Sequence, residues 1–155
     1  MEMTDRRVQS VGYLVNWAAR LLARSLDRRL EGGNLGPMPV YYALLDGGAL
    51  PQKELARLAA VEQPTMANTL ARMTRDGLVT AAPDPADRRS SLIRLTPLGQ
   101  ERGRSAMAAA ATVNRLALEA LSPEEREPFM AMLRKVIARL DADGEGRTVP
   151  PARIG

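Results

Sequence analysis

The chain lacks cysteine and histidine altogether among its 155 residues. This excludes disulfides, haem ligation by histidine and an ordinary zinc site, so we expect no metal and no cofactor. Aromatic residues are scarce as well, at 3%, although apolar residues make up 45% of the chain. That balance suits helices better than a β-sandwich. The composition therefore predicts a mainly α protein.

The chain also lacks any apolar run close to the roughly 18 residues that span a membrane. Residues 1–7 are too polar for a signal peptide, and we therefore expect a cytoplasmic protein. Basic residues outnumber acidic ones by 22 to 18, and all of them except Lys53 and Lys135 are arginine. An excess of this size permits a polyanionic partner without proving one, because a charged surface is most often simply solvated.

A first helix is predicted over residues 6–31, where apolar residues recur at steps of three and four. At a rise of about 1.5 Å per residue this helix would be nearly 40 Å long. Such an apolar face exceeds what one small domain can cover, which favours a partner surface from a second subunit. The stripe comprises Val8, Val11, Val15, Ala18, Leu22 and Leu26.

The middle of the chain has the spacing of a helix-turn-helix motif. Helices are predicted over residues 37–46, from Pro51 onward, and from Pro64 to the Asp76-Gly77 stop. Only residues 60–62 separate the last two of these helices. The apolar residues expected on the buried side of the last helix are Met66, Leu70 and Met73.

A two-stranded β-wing and two long helices are predicted after the helix-turn-helix motif. Residues 78–81 and 91–96 can pair as a two-stranded β-wing whose tip is the turn-rich segment 83–87. Pro97 starts a long alanine-rich helix to about residue 121, and Ser122 is the expected N-cap of the last helix. Residues 143–155, rich in glycine and proline, are predicted to be a flexible tail.

The polar side chains of the helix after the turn point to DNA. A helix that enters the major groove presents short polar and amide groups near its N-terminus, where asparagine or glutamine can read adenine and arginine can read guanine. The residues expected opposite the buried side are Gln63, Thr65, Asn68, Thr69 and Arg72. The alternative from these residues alone is a surface helix with ordinary polar side chains.

The tip of the hairpin carries Asp87, Arg88 and Arg89. An arginine inserted into a narrow minor groove gains from the enhanced negative potential there. Asp87 would be a poor phosphate ligand, so we expect it to orient one of the two guanidinium groups through a charge-assisted hydrogen bond. A helix for one groove and an arginine for the other strengthen the DNA hypothesis.

Four segments together resemble the MarR/SlyA family of bacterial winged helix-turn-helix transcription regulators. The segments are Val61-Glu62-Gln63-Pro64-Thr65, Asp76-Gly77-Leu78-Val79, Asp87-Arg88-Arg89-Ser90 and Leu95-Thr96-Pro97-Leu98-Gly99. The resemblance implies one domain over residues 1–142, with a winged helix-turn-helix at about 35–97 and intertwined dimerisation helices at about 6–31 and 98–142.

The resemblance also implies functional residues. Asn68 lies where many members carry a base-reading residue, and Arg89 lies where members place the wing arginine in the minor groove. Two positions depart from the family pattern. Ala60 replaces a common glycine and either takes a right-handed conformation or bears roughly 1 kcal/mol of strain, and Ala81 replaces a common arginine. The expected DNA-binding set is Gln63, Pro64, Thr65, Asn68, Thr69, Arg72, Arg75, Asp87, Arg88 and Arg89.

Family resemblance further implies a homodimer on double-stranded DNA. It also implies release of the DNA when a small aromatic or phenolic ligand binds between the dimer helices and the winged unit. The candidate pocket residues are Tyr13, Trp17, Met38, Tyr41 and Tyr42. The plain alternative for these side chains is core packing, because that is where most aromatic residues lie.

The expected function is a sequence-specific transcription regulator, acting as a repressor on a palindromic operator with half-sites about one helical turn apart. An alternative keeps the winged fold as a protein-interaction module, with Arg88 and Arg89 engaging an acidic partner. An enzyme is disfavoured, because no catalytic constellation is present and Glu124-Glu125 fits helix-start electrostatics.

Overall fold

The computed structural model describes residues 10–30, 37–87 and 89–143. Within these ranges the chain is mainly helical, with a small antiparallel sheet, as the sequence predicts. In chain order the elements are α1 (Val11–Asp27), α2 (Met38–Leu44), β1 (Leu50–Pro51), α3 (Gln52–Leu58), α4 (Gln63–Arg75), β2 (Val79–Pro83), β3 (Ser91–Leu95), α5 (Pro97–Leu118) and α6 (Pro123–Asp143).

The core lies among α2, α3, α4, α5 and the sheet. α4 contributes its predicted apolar side, and all three of those side chains are buried. α5 approaches α2 closely because it places small residues there: a Cβ on Gly103 would lie 2.8 Å from Leu45 Cδ1 and 3.0 Å from Tyr41 Cδ1. The core side chains are Met38, Val40, Tyr41, Leu44, Leu55, Ala56, Met66, Leu70, Met73, Val79, Ile93, Ala106 and Ala110.

The turn between α3 and α4 is a tight helix C-cap. Ala60 takes a left-handed conformation with φ 51°, so the right-handed alternative is wrong. The Ala60 amide donates to the Arg57 carbonyl and the Val61 amide to the Ala56 carbonyl, both at 3.1 Å. These two hydrogen bonds form a Schellman motif, in which glycine usually occupies the left-handed position. Val61 then packs against the core and fixes where α4 begins.

The sheet has three strands in the order β1-β3-β2, one more than the sequence predicts. β2 and β3 pair from Val79 opposite Leu95 to Pro83 opposite Ser91, and β1 adds Leu50 opposite Ile93. Pro51, expected in the first turn of α3, is instead its N-cap, with an extended ψ of 154°. The short β1 strand thus joins the helix-turn-helix to the inner strand of the wing.

α1 is shorter than predicted within the described residues. Ser10 has extended backbone angles and its hydroxyl oxygen accepts a hydrogen bond from the Tyr13 amide at 3.2 Å, so the helix begins at Val11. It ends at Asp27, and the remaining predicted positions 6–9 and 31 lie outside the described residues. Its 17 residues span about 25 Å rather than about 40 Å.

α5 and α6 follow the prediction with small shifts. α5 ends at Leu118, three residues early, and Arg126 Nε on α6 donates to the Leu118 carbonyl at 3.1 Å. The Ser122 amide donates to Glu125 Oε2 at 2.8 Å, half of a capping box. α6 continues through Asp143, the first residue assigned to the tail. The rest of the predicted tail, residues 144–155, lies outside the described ranges.

Acidic residues at the start of α6 stabilise the N-terminus of this helix, as the sequence indicates. The pKa of Glu124 is lowered by a hydrogen bond from its own backbone amide and by one from the Ser122 side chain. Both bonds favour the carboxylate at the positive end of the helix dipole. The chain thus uses this acidic pair to begin a helix.

Large apolar side chains remain exposed along the outer helices. No residue of α6 is buried, and on α1 even Trp17 is 51% exposed. No helix in the described ranges is long and apolar enough to cross a membrane. The exposed set on α1, α5 and α6 is Val11, Tyr13, Leu14, Val15, Trp17, Leu21, Leu22, Leu98, Leu116, Phe129, Met132, Val136, Ile137 and Leu140.

Candidate nucleic-acid interface

The outward face of α4 carries side chains suited to reading a DNA groove. Met66, Leu70 and Met73 anchor the opposite side in the core. The exposed face offers an amide, a hydroxyl and a guanidinium within three turns of helix, which are the groups that recognise base edges and phosphates. The predicted residues that the structure places on this face are Gln63, Pro64, Thr65, Asn68 and Arg72.

α4 begins directly after an acidic N-cap residue, Glu62. Its first turn contains no acidic residue, and the Glu62 side chain makes no capping hydrogen bond to it. Pro64 fits the first turn because it lacks the amide hydrogen that would have no partner there. A helix N-terminus attracts a phosphate, but the Glu62 carboxylate at this end opposes one, so the exposed polar side chains of α4 carry the case for nucleic-acid contact.

Thr69 is not part of this face, which corrects the sequence prediction. Thr69 is only 7% exposed, and its hydroxyl donates to the Thr65 carbonyl at 3.2 Å. The reason is helical spacing: Thr69 lies three residues after Met66 and four before Met73, so it belongs to the buried stripe. Its hydroxyl is satisfied inside the helix and does not face a groove.

The two arginines at the end of α4 differ in their surroundings. Arg72 is exposed on the outward face, one turn after Asn68. Arg75 is also exposed, and its Nε lies 3.3 Å from Asp76 Oδ1. An exposed ion pair of this kind contributes at most about 1 kcal/mol. Arg75 could therefore exchange Asp76 for a phosphate at small cost.

Two aspartates near the wing tip accept hydrogen bonds from backbone amides. Asp84 Oδ1 accepts from the Ala86 amide at 2.8 Å, and Asp87 Oδ1 accepts from the Arg89 amide at 2.9 Å. The Asp84 amide also donates to the Ser90 carbonyl at 3.0 Å, which closes the loop. These are Asx-type turns that hold the backbone of the tip.

Asp87 contacts Arg89 differently from the expectation. We expected its carboxylate to orient an arginine guanidinium, but towards Arg89 it binds the backbone amide instead. The backbone bond fixes where the Arg89 side chain leaves the chain. Arg88 lies outside the described residues.

Comparison with known proteins agrees with this architecture. A family model described as MarR family matches residues 42–90. The HTH-type transcriptional repressor NicR of Pseudomonas putida is 34% identical over 95 residues, covering 61% of this chain and 60% of NicR. The transcriptional regulator HosA of Escherichia coli O111:H- is 36% identical over 98 residues, covering 63% of this chain and 73% of HosA. The chain belongs to the MarR family.

A solved structure extends the likeness to the fold. The PcaV transcriptional regulator of Streptomyces coelicolor, in complex with its natural ligand, superposes on this MarR-family chain with a TM-score of 0.78. The two are 25% identical, and the superposition covers 88% of this chain and 97% of PcaV. The chain is accordingly a winged helix transcription regulator, and the match to NicR spans about three fifths of that repressor.

The five candidate effector residues fall into different environments in this MarR-family chain. Met38 and Tyr41 belong to the core, and burial raises the pKa of Tyr41, partly offset by Arg102. Tyr42 is 62% exposed on α2. Tyr13 and Trp17 stack on the exposed side of α1, with ring centroids 6.2 Å apart. Of the five, Tyr13 and Trp17 form the pair that presents an accessible flat aromatic surface.

Sequence reasoning missed the contacts that join the end of α4 to the start of α5. The Thr96 hydroxyl donates to the Gly77 carbonyl at 2.6 Å and accepts from the Gly99 amide at 3.0 Å. A signal was available, because threonine followed by proline is typical of a helix N-cap and N1. The contact across 19 residues to Gly77 has no local sequence signature.

Proposed function

We propose that this MarR-family regulator represses transcription in the cytoplasm by binding a palindromic operator as a homodimer, as a DNA-binding protein without catalytic activity. The observation that carries the proposal is the outward face of α4, where Asn68 and Arg72 lie exposed one turn apart. A helix of this kind reads a major groove with its first two or three turns.

The homodimer is supported by the apolar faces of α1 and α6. Leu140 is 64% exposed and Trp17 is 51% exposed, within a set that runs along both helices. Contiguous apolar surface of this kind marks an interaction site in a soluble protein. A two-fold dimer would present two copies of α4, and its operator would then be an inverted repeat.

The wing would add a second contact on each half-site. Arg89 is exposed at a tip whose backbone is held by Asp84 and Asp87. Backbone that is already held by such hydrogen bonds loses less conformational entropy on binding than a flexible segment. We place Arg89, with its neighbour Arg88, in the minor groove beside the half-site that α4 reads.

A small aromatic or phenolic effector would release the DNA. The stacked rings of Tyr13 and Trp17 are exposed in the single chain and would line a ligand site between the dimer helices and the winged unit, and the similar PcaV regulator has a natural ligand in its solved structure. The effector would act by differential affinity for two arrangements of the dimer.

The test is selection of bound duplexes from a random pool by the full chain. We expect recovery of an inverted repeat whose half-sites are about 10 base pairs apart. Competition between the recovered duplex and a shuffled one of the same length should favour the former by roughly 10³-fold or more.

Recovery of no shared sequence would overturn the proposal. Binding that depends on charge alone would instead support a protein-interaction role for the wing, with an acidic surface as its partner. A single unrepeated site would contradict the two-fold homodimer while leaving sequence recognition in place.

A further inference from the structure

The end of α4 is bonded to the start of α5 through four residues, Gly77, Leu78, Thr96 and Gly99, here named the α4–α5 junction. The Thr96 amide donates to the Leu78 carbonyl at 3.0 Å, and the Thr96 hydroxyl donates to the Gly77 carbonyl at 2.6 Å. The same hydroxyl accepts the Gly99 amide at 3.0 Å as the N-cap of α5. One side chain thus connects two helix ends.

The junction continues directly into both helices. Gly77 has φ +72°, and the Leu78 amide donates back to the Met73 carbonyl at 2.8 Å, which closes the last turn of α4. On the other side, the Gln100 amide donates to the Thr96 carbonyl at 2.8 Å, inside the first turn of α5. Hydrogen bonds therefore run without interruption from one helix into the other.

Gly99 allows the two segments to approach this closely. A Cβ at this position would lie 1.9 Å from the Leu78 carbonyl oxygen and 2.9 Å from its carbon. That oxygen is backbone and already accepts the Thr96 amide, so it cannot swing aside as a flexible side chain would. Any side chain at Gly99 must force α4 and α5 apart.

We infer that the α4–α5 junction fixes the orientation of α4 relative to α5. Thr96 and Gly99 are therefore positioning residues for operator binding. The inference rests on the proposed function, in which paired copies present α4 to DNA. Arg72 lies in the last turn of α4 and Asn68 near its middle, whereas Gln63 and Thr65 lie at the end far from the junction. Because α4 is about 20 Å long, a tilt of about 3° at the junction moves that end by about 1 Å.

The variants that test this are Thr96→Val, Thr96→Ser and Gly99→Ala in the full chain. Valine keeps the shape of threonine and removes the hydroxyl, whereas serine keeps the hydroxyl and should behave as the unaltered chain. Matched controls are Thr112→Val, which removes an intrahelical hydroxyl bond elsewhere in α5, and Gly48→Ala, where no atom lies within 4 Å of the added Cβ.

The first measurement is the distance between α4 and α5 without DNA. The chain has no cysteine, so Ala71→Cys and Asn114→Cys, both exposed, accept two spin labels. Excess unlabelled chain keeps the measured distance within one molecule. We expect a single narrow distribution in the unaltered chain, with the Thr96→Ser variant and both controls, and a shifted or broadened one with Thr96→Val and Gly99→Ala.

The second measurement is the preference for the selected duplex over a shuffled one. We expect Thr96→Val and Gly99→Ala to reduce this preference roughly 2- to 30-fold, while the controls leave it unchanged. If Gly99→Ala fails to fold, the isosteric Thr96→Val carries the test alone.

A lower melting temperature with unchanged label distances and unchanged preference would overturn the inference and leave the junction a stabilising contact only. Absence of any duplex preference in the unaltered chain would overturn the proposed function instead. The label distances would then still decide whether the junction sets the orientation of α4.

Discussion

Ala60 shows how a single side chain can strain a motif without breaking it. Its φ of 51° is sterically unfavourable for any residue with a Cβ. The Schellman hydrogen bonds and the packing of Val61 nevertheless hold the turn in that conformation. The sequence identifies the position, but the choice between strain and a different turn depends on those tertiary contacts.

We predict that Ala60→Gly raises the free energy of unfolding by about 0.5–1 kcal/mol. Relief of the left-handed strain, about 1–2 kcal/mol, is partly offset by the greater freedom of glycine in the unfolded chain. Urea unfolding at a fixed protomer concentration measures the change. The neighbouring Ala59→Gly is the control, because Ala59 has a right-handed φ of −82° and should lose stability. An equal decrease in the free energy of unfolding in both variants would contradict backbone strain at Ala60.

Asn68 should determine sequence preference more than overall affinity. Asn68→Ala removes an amide that can bind adenine bidentately, which costs about 1–3 kcal/mol at the cognate site and relaxes the preference there. Competition between duplexes that differ at single base pairs measures this. Thr74→Ala is the control, since the Thr74 hydroxyl already donates to the Leu70 carbonyl at 2.8 Å. An unchanged preference would exclude Asn68 from base contacts.

At the scale of elements, the long periodic segments were predictable and the pairings across the chain were not. The apolar steps in α4 and the start of α6 directly after Ser122 are local signals, and the structure confirms both. β1 has two residues and exists because it pairs with a strand more than forty positions later. Local propensity carries no information about such a partner.

The candidate site divides in the same way. The exposed face of α4 follows from its helical period. The burial of Thr69 follows from the same period, although a threonine is a residue type expected on the polar face. The bond from Thr96 to Gly77 and the close approach at Gly99 depend on how two distant segments meet.

The exposed apolar face of α6 leads to a prediction about assembly. Leu140→Glu should weaken the homodimer by about 10-fold or more, because a buried leucine contributes about 1.5–3 kcal/mol and each copy loses it. Sedimentation equilibrium measures the dissociation constant. Thr80→Glu adds the same charge at an exposed position of β2 in the wing, outside the dimerisation helices, and should leave the dimer intact. An unaffected dimer in Leu140→Glu would exclude the end of α6 from the interface.

At the scale of the whole molecule, the net charge of +4 is modest, so placement of the arginines matters more than their number. We predict that operator affinity falls about 10³- to 10⁵-fold between 50 and 200 mM salt, as for a protein that neutralises six to ten phosphates. Fluorescence anisotropy across a salt series gives the slope. A flat response would contradict phosphate-dominated binding.

Arg89→Ala should reduce that salt slope by about 1 for each wing engaged. Arg139→Ala is the control, because Arg139 pairs with Asp143 on α6 at 3.6 Å and lies on neither α4 nor the wing. If both variants have the same slope as the unaltered chain, the wing tip does not touch the nucleic acid.

The stacked ring pair on α1 has a practical consequence. Trp17 is the sole indole in the chain, it is half exposed, and it lies nearly parallel to Tyr13, with 7° between the ring planes. The indole fluorescence of Trp17 therefore reports whether this face of α1 is exposed to solvent or buried by a second copy. Dilution that separates the two copies should shift the fluorescence maximum to longer wavelength, which gives an intrinsic optical signal of assembly without any added dye.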